Sequence, residues 1–269
     1  MEHAPTVADP ALVARHIENL VPFWGQKMVA DIKGASCRAF ANKRTPAMAR
    51  RSLETLRAAI NYFHKEYGLD PVPAFTMPTK PKRRERWLTR TEAARMLWQA
   101  RRTPHLARFI LIGLYTGTRS GAILGLLWMP STTGGWIDVD RGVLHRASAD
   151  KRETKKRQPP AKMPDRLLAH ARRWRRMDGD LRHVVQWNGA PVASIKKAFR
   201  SARTAAGLDA KVIPHSLRHT CATWLMQGGA EAWDAAGYLG MTVEMLDRTY
   251  GHHSPTHQQG AMDALNRRA

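Results

Sequence analysis

Apolar residues recur at intervals of three and four along two early stretches of the chain. Over residues 10 to 33 the series is Leu12, Ile17, Leu20, Val21, Trp24, Met28, Val29 and Ile32, which predicts one amphipathic helix. Over residues 46 to 67 it is Met48, Leu53, Leu56, Ala59, Ile60, Phe63 and Tyr67, with Gly68 placed to end a second helix. The pattern then stops. Residues 71 to 87, PVPAFTMPTKPKRRERW, carry Pro71, Pro73, Pro78 and Pro81 among Lys80, Lys82, Arg83 and Arg84. Proline lacks the amide hydrogen that helices and central strands need, so this stretch predicts an extended basic connector. The expected organisation is a helical domain over 1–70, a linker over 71–86 and a larger domain over 87–269.

Thr89 followed by Glu92 has the spacing of a capping box and marks the next helix start. A further helix is expected over 104 to 116. From residue 134 the period changes to two: GGWIDVDRGVLHRAS alternates about Asp140-Arg141-Gly142, the pattern of a hairpin. A third strand is expected over 161 to 163, beyond a charged stretch and Pro159-Pro160. Helical spacing resumes over about 164–177, 191–206, 216–228, 230–239 and 242–250, with a short candidate over 258–268. The fold class is therefore mainly α with a small antiparallel β-sheet, an α+β arrangement. No internal repeat or low-complexity tract is present.

Charge narrows the partners. The chain has 269 residues with 44 Lys and Arg against 22 Asp and Glu, a formal net charge of +22. Such an excess repels itself, and a polyanion whose bound counterions are released on contact is the partner that offsets it. Lys27, Lys33, Arg38, Lys43, Arg44, Arg50, Arg51 and Arg57 give the first helical unit a basic surface, and Lys43, Arg44, Arg50, Arg51 and the linker's Lys80, Lys82, Arg83 and Arg84 are its candidate DNA contacts. No run approaches the length of a membrane span, and the N-terminus has no basic-then-apolar signal, so a cytoplasmic protein associated with the nucleoid is expected. Cys37 and Cys221 lack metal-site spacing, and Cys221 reads as a small core residue. His16, His64, His105 and His183 form no ligand pairs, so no metal is expected.

Two stretches place arginine at the head of an apolar helix, where it is costly to desolvate without an anion. In TGTRSGAILGLLW, residues 116 to 128, Gly117 allows a tight turn and Arg119 follows, ahead of an apolar face formed by Ile123, Leu126 and Leu127. In HSLRHTCATWLMQGG, residues 215 to 229, Ser216 is placed to cap a helix whose first turn carries Arg218 and His219, with His215 just before it. Helix N-termini already project amide hydrogens and partial positive charge, so added basic groups call for a bound phosphate. Either arginine taken alone also fits a structural pairing with a carboxylate; their repetition favours phosphate.

These two stretches, followed by YLGMTVEMLDRTYGHH, resemble the tyrosine recombinase (phage integrase) family in order and spacing over residues 87 to about 255. That family has an Arg in a TGxR segment, an HxLRH segment, and a Tyr nine positions beyond an LGH segment; Tyr250 stands nine positions beyond Met241. The resemblance implies that Arg119 and Arg218 clamp a scissile phosphate while an exposed Tyr250 attacks phosphorus. It also implies His215 as the base and, as general acid, a Lys of the hairpin loop in DKRETKKRQPP. Counting back from the third strand favours Lys155 over Lys151, with Lys156 a neighbour. Because a phosphotyrosyl bond retains the energy of the broken bond, no cofactor is implied.

Two departures stand out. Ala122 replaces a common Glu, and Met241 replaces the His of LGH, a residue expected to pack beneath the tyrosine helix; His252, His253 or Trp233 is then left to substitute. His219 is expected to orient the clamp or serve as structural support. The expected partners are double-stranded DNA, four protomers assembled on it from a free monomer, and an accessory DNA-bending protein. A separate arm-binding domain is not expected ahead of residue 10. The rival readings are an impaired integrase relic, a DNA-binding regulator that does not cut, and a type IB topoisomerase, which shares the chemistry.

Overall fold

The computed structural model describes residues 9–80, 85–150 and 157–266. The chain divides into two compact units, Met1–Arg83 and Arg84–Ala269.

The first unit is helical. Helix α1 spans Pro10–Trp24, α2 Gly34–Asn42 and α3 Pro46–Tyr67. The apolar run over 10 to 33 is thus not one helix: α1 stops at Trp24, Gly25 donates its amide to Val21 O, and a single 3-10 turn over Val29–Asp31 follows. The Ser36 hydroxyl then ties down the entry to α2, accepting from Lys33 N at 2.9 Å and lying 2.7 Å from Asp31 O. Helix α2 was not anticipated; its Cys37 and Phe40 complete a core with Leu20, Trp24, Leu53 and Ile60. Residues 71–80 form neither helix nor strand, yet Phe75 and Met77 pack on this core and Arg50 donates to Pro78 O at 2.7 Å.

The second unit begins with α4, Arg90–Ala100, closed by the reciprocal Thr89–Glu92 bonds that the sequence predicts. Helix α5 spans Pro104–Thr116 and α6 Ser120–Leu124. Strands β1 (Trp136–Asp138), β2 (Val143–His145) and β3 (Ala161–Lys162) form an antiparallel sheet in sequence order, with Ile137 opposite Leu144 and Leu144 opposite Ala161. Gly142 turns the hairpin at φ +67° while Asp138 Oδ1 accepts from the amides of Asp140 and Arg141. Helix α7 covers Asp165–Asp178.

A second hairpin, β4 (Gln186–Trp187) with β5 (Ala190–Pro191), lies almost wholly in the gap between the helices expected over 164–177 and 191–206, and α8 runs only over Lys196–Ala205. Its turn residues Asn188 and Gly189 both have positive φ, a geometry that Asn-Gly adopts at little cost. The remaining helices are α9 (Ser216–Gln227), α10 (Ala232–Leu239), α11 (Val243–Tyr250) and α12 (Gln259–Asn266), with a 3-10 turn over Gly251–His253. The fold is that of a mainly helical α+β protein.

The larger core gathers Phe109, Ile110 and Ile112 of α5, Leu167 of α7, Phe199 of α8 and Leu217 of α9. A smaller one joins Cys221, Met226, Ala236, Leu239, Leu246 and Tyr250. One ion pair is fully enclosed: Arg108 grips Asp178 through two bonds of 2.6 and 2.8 Å, and Trp128 Nε1 donates to the same carboxylate at 2.9 Å. Removing one member strands the other charge, so Asp178→Ala should lower unfolding free energy by about 3–5 kcal/mol. Urea titration followed by tryptophan fluorescence reads this directly, and an unchanged midpoint would contradict the assignment.

Candidate active site

The two arginine segments meet because α5 and α9 pack against each other at their closest where α5 lacks a side chain. A Cβ on Gly113 would fall 2.8 Å from Leu217 Cδ1. Helix α5 ends at Gly117, whose φ of +60° reverses the chain and whose amide donates to Gly113 O. A side chain at that position would also meet Leu239 Cδ2 at 2.4 Å. Arg119 follows as the first residue ahead of α6, and its Nη1 donates to Arg157 O at 2.9 Å. Leu126 and Leu127 lie beyond α6 and reach the core from the following loop.

Helix α9 opens at Ser216, but the serine does not cap it. Its hydroxyl accepts from Ile213 N at 3.1 Å instead, bracing the turn that leads in. Arg218, 5% exposed, donates from Nη1 to Gly117 O at 2.8 Å, which fastens one arginine segment to the other. Further along α9, Thr220 Oγ1 accepts from Leu88 N and Trp224 Nε1 donates to Leu88 O.

A third guanidinium lies beneath these two. Arg146, 3% exposed, donates from Nε to Thr118 Oγ1 at 3.0 Å, from Nη1 to Pro159 O at 2.7 Å and from Nη2 to Thr116 O at 2.6 Å. The sequence reading missed it, although the strand period places it on the inward face with Leu144. It binds the Gly117 turn to the arm leading into β3. Gly240, at φ +65°, presses on the same arm, where a Cβ would meet Arg157 O at 2.8 Å. Lys151, Lys155 and Lys156 lie outside the described residues, as do Lys82, Arg83 and Arg84.

Tyr250 is buried rather than exposed as expected. Thr242 Oγ1 accepts from Met245 N to start α11, and Leu246 and Tyr250, four apart, share the helix's buried face. Met241 packs against the same cluster. The Tyr250 hydroxyl is 2.7 Å from Nδ1 of His219. The imidazole that meets the phenol is therefore His219; His215 stands behind it one helical turn back, the two rings edge to face with centroids 4.9 Å apart. Trp233 is 77% exposed, His252 is exposed and the His253 ring packs against Trp87.

The electrostatics follow from burial and from positive charge gathered in one place. Burial pushes Arg146 and Arg218 down to about 10, with Arg119 and Arg146 adding to the effect on Arg218, and burial also lowers Arg119. His215 is lowered by burial, then by Arg218 and Arg119. His219 is pushed down to about 4 by burial, then by His215 and Arg218. Both imidazoles are neutral near pH 7. Beside the site, a groove of about 690 Å³ is lined by Ser120, Lys196, Arg200, Arg203, Pro214 and His215. Among the described residues no cluster of His, Cys, Asp or Glu could hold a metal ion.

Among the described candidate DNA contacts of the first unit, Arg44 and Arg50 are engaged internally. Arg44 donates to Phe40 O and Asn19 O at 3.1 Å each and lies over the Phe40 ring, while Arg50 pairs with Glu54 and binds Pro78 O. Lys43, Arg51 and Lys80 are exposed, with Arg51 reaching Glu54 at 3.5 Å.

The pattern of the phage integrase family matches residues 86–257. The chain belongs to that family and is a tyrosine-type site-specific recombinase. No curated protein sequence matches it. Among solved structures, an integrase of the Tn1549 transposon in complex with a circular intermediate DNA aligns with a TM-score of 0.73 at 17% identity, over 98% of this chain and 96% of that one. A lambda integrase dimer bound to a core site gives 0.67 at 19% identity, over 88% and 89%. A lambda integrase tetramer bound to a Holliday junction gives 0.66 at 18% identity, over 88% and 70%. At these identities the likeness establishes the fold.

Arg146→Met should leave Thr116 O and Pro159 O without donors, each worth about 1–3 kcal/mol when buried. A fall in thermal midpoint together with slower DNA cleavage is expected. Full activity in that variant would remove Arg146 from the site.

Proposed function

We propose that the site cleaves double-stranded DNA by in-line attack of Tyr250 on a phosphate held by Arg119 and Arg218. One observation carries the reading. The Tyr250 hydroxyl bonds His219, the next residue is Arg218, and Arg218 bonds Gly117 O two positions before Arg119. Separate segments of one chain thereby converge on a single place.

A forked guanidinium suits non-bridging phosphate oxygens and keeps its charge as the pentavalent transition state becomes more negative. Attack leaves a 3′-phosphotyrosyl bond and a free 5′-hydroxyl, conserving the bond energy for rejoining. The leaving oxygen takes its proton from an acid, for which Lys155, with Lys151 as alternative, remains the choice. His215, held neutral beside the clamp, can bond a phosphate oxygen. Met241 can supply no such bond, which leaves His215 and His219 as the imidazoles of this reading.

On this reading the helical unit over 1–70 is a DNA-gripping domain, 71–86 a basic connector and 87–269 the catalytic domain. Lys43, Lys80 and the largely exposed Arg51 can contact phosphates, and the groove beside His215 offers Lys196 and Arg200 to the duplex. Two duplexes cut at two points each require four protomers, the assembly in which lambda integrase is found on a Holliday junction. The exposed Met262 and Leu265 of α12 supply an apolar face for docking on a neighbour. No described helix is long and apolar enough to cross a membrane, in keeping with a protein that works on DNA.

The test uses a pool of duplexes with a randomised core and a nick that releases the 5′ product, so that cleavage traps protein on DNA. The parent should yield adducts that survive denaturant, and Tyr250→Phe should bind DNA yet yield none. Arg218→Ala should slow adduct formation on the order of 10²–10³-fold. Binding by the parent with no adduct from any pool member would leave a DNA-binding protein without strand cleavage.

A further inference from the structure

The contact between Tyr250 and His219 goes further than locating the nucleophile. A phenol ionises near pH 10, so at neutral pH attack on phosphorus requires a base within hydrogen-bond reach of its oxygen. Among the described contacts of that oxygen is Nδ1 of His219, at 2.7 Å. His215, the histidine that the family pattern favours for this step, has no described bond to the phenol, and the His219 ring lies next to both. We propose that His219 is a catalytic residue of this recombinase: its Nδ1 takes the Tyr250 proton during cleavage and returns it during rejoining. The proposal rests on the phosphotyrosyl mechanism described above.

The balance is simple. In cleavage the Tyr250 oxygen forms its bond to phosphorus as the bond to the 5′ oxygen breaks. The phenolic proton passes to Nδ1, giving an imidazolium, and the departing 5′ oxygen is protonated by the lysine acid. In rejoining the 5′-hydroxyl attacks and gives its proton back to that amine, while the phenolate departs with the proton held by His219.

The surroundings gate the transfer. The groups acting on the ring are His215 and Arg218 from α9 and Tyr250 from α11, and the turn behind α11 directs His253 onto Trp87 instead. Without an anion, burial and those neighbours hold the imidazole neutral and a weak base. An arriving phosphate offsets Arg218 and so strengthens the base at the moment the nucleophile is needed. In free protein the same contact holds the phenol within its own chain's site.

Asn places an amide group close to where His places Nδ1, so His219→Asn keeps a polar partner for the phenol and removes the basic nitrogen. Single-turnover cleavage of the best nicked duplex from the randomised pool is followed by adduct formation across pH 6 to 10. At pH 7, His219→Asn should be slower on the order of 10²-fold. The deficit should shrink as pH rises towards the phenol's own ionisation, because hydroxide then does the work of the imidazole. His219→Ala, read in the same way, should show the same convergence. His215→Asn should show a deficit that stays constant with pH. A parent that forms adducts while both His219 variants keep pace with it, or lag by a pH-independent factor, overturns the assignment, as does alkaline rescue confined to His215→Asn. A parent that forms none overturns the cleavage mechanism itself, and this role falls with it.

Discussion

Guanidinium groups taken out of water with no described carboxylate bonded to them are the constraint on which the second unit is built. Arg218 and Arg146 are almost wholly enclosed, and the described bonds that hold them run to backbone carbonyls and one threonine hydroxyl. Neutral acceptors hold a guanidinium in place but do not cancel its charge. The contrast with Arg108 is instructive, since that residue is equally buried and is matched atom for atom by Asp178. One arginine is finished by the fold, whereas on the proposed function the cluster near Gly117 is completed by a phosphate. On that reading, stability is given up locally so that the phosphate finds its donors already placed.

Much of this was legible in the residues. Periodicity located α3, α4 and α5, alternation located the first hairpin, and the repetition of arginine at helix heads pointed to phosphate. Where the reading failed, specific physics decided. Gly25 interrupted an apolar run that was long enough for one helix, and the turn beyond it created α2. Asn188-Gly189 was a hairpin signal in plain view, overlooked because the flanking strands are only two residues each.

The site was harder to foresee than the fold. That Tyr250 is buried follows from its spacing to Leu246, so the exposure assigned to it went against the helix's own period. Arg146 could have been found from strand alternation, since it shares a face with Leu144. The contact with His219 could not, because α9 presents several faces and only the docking of α11 selects the one that meets the phenol.

The absent side chain of Gly113 has a broader consequence. Helix α9 carries Arg218 and His219, with His215 capping its start, and it is seated by the hollow into which Leu217 fits. A methyl group added to the hollow would displace charge clamp and proton acceptor together, leaving their mutual spacing intact while shifting both relative to Arg119 and Tyr250. Drift in the catalytic machinery of such a chain can thus arise from a position that touches neither DNA nor any ionisable group.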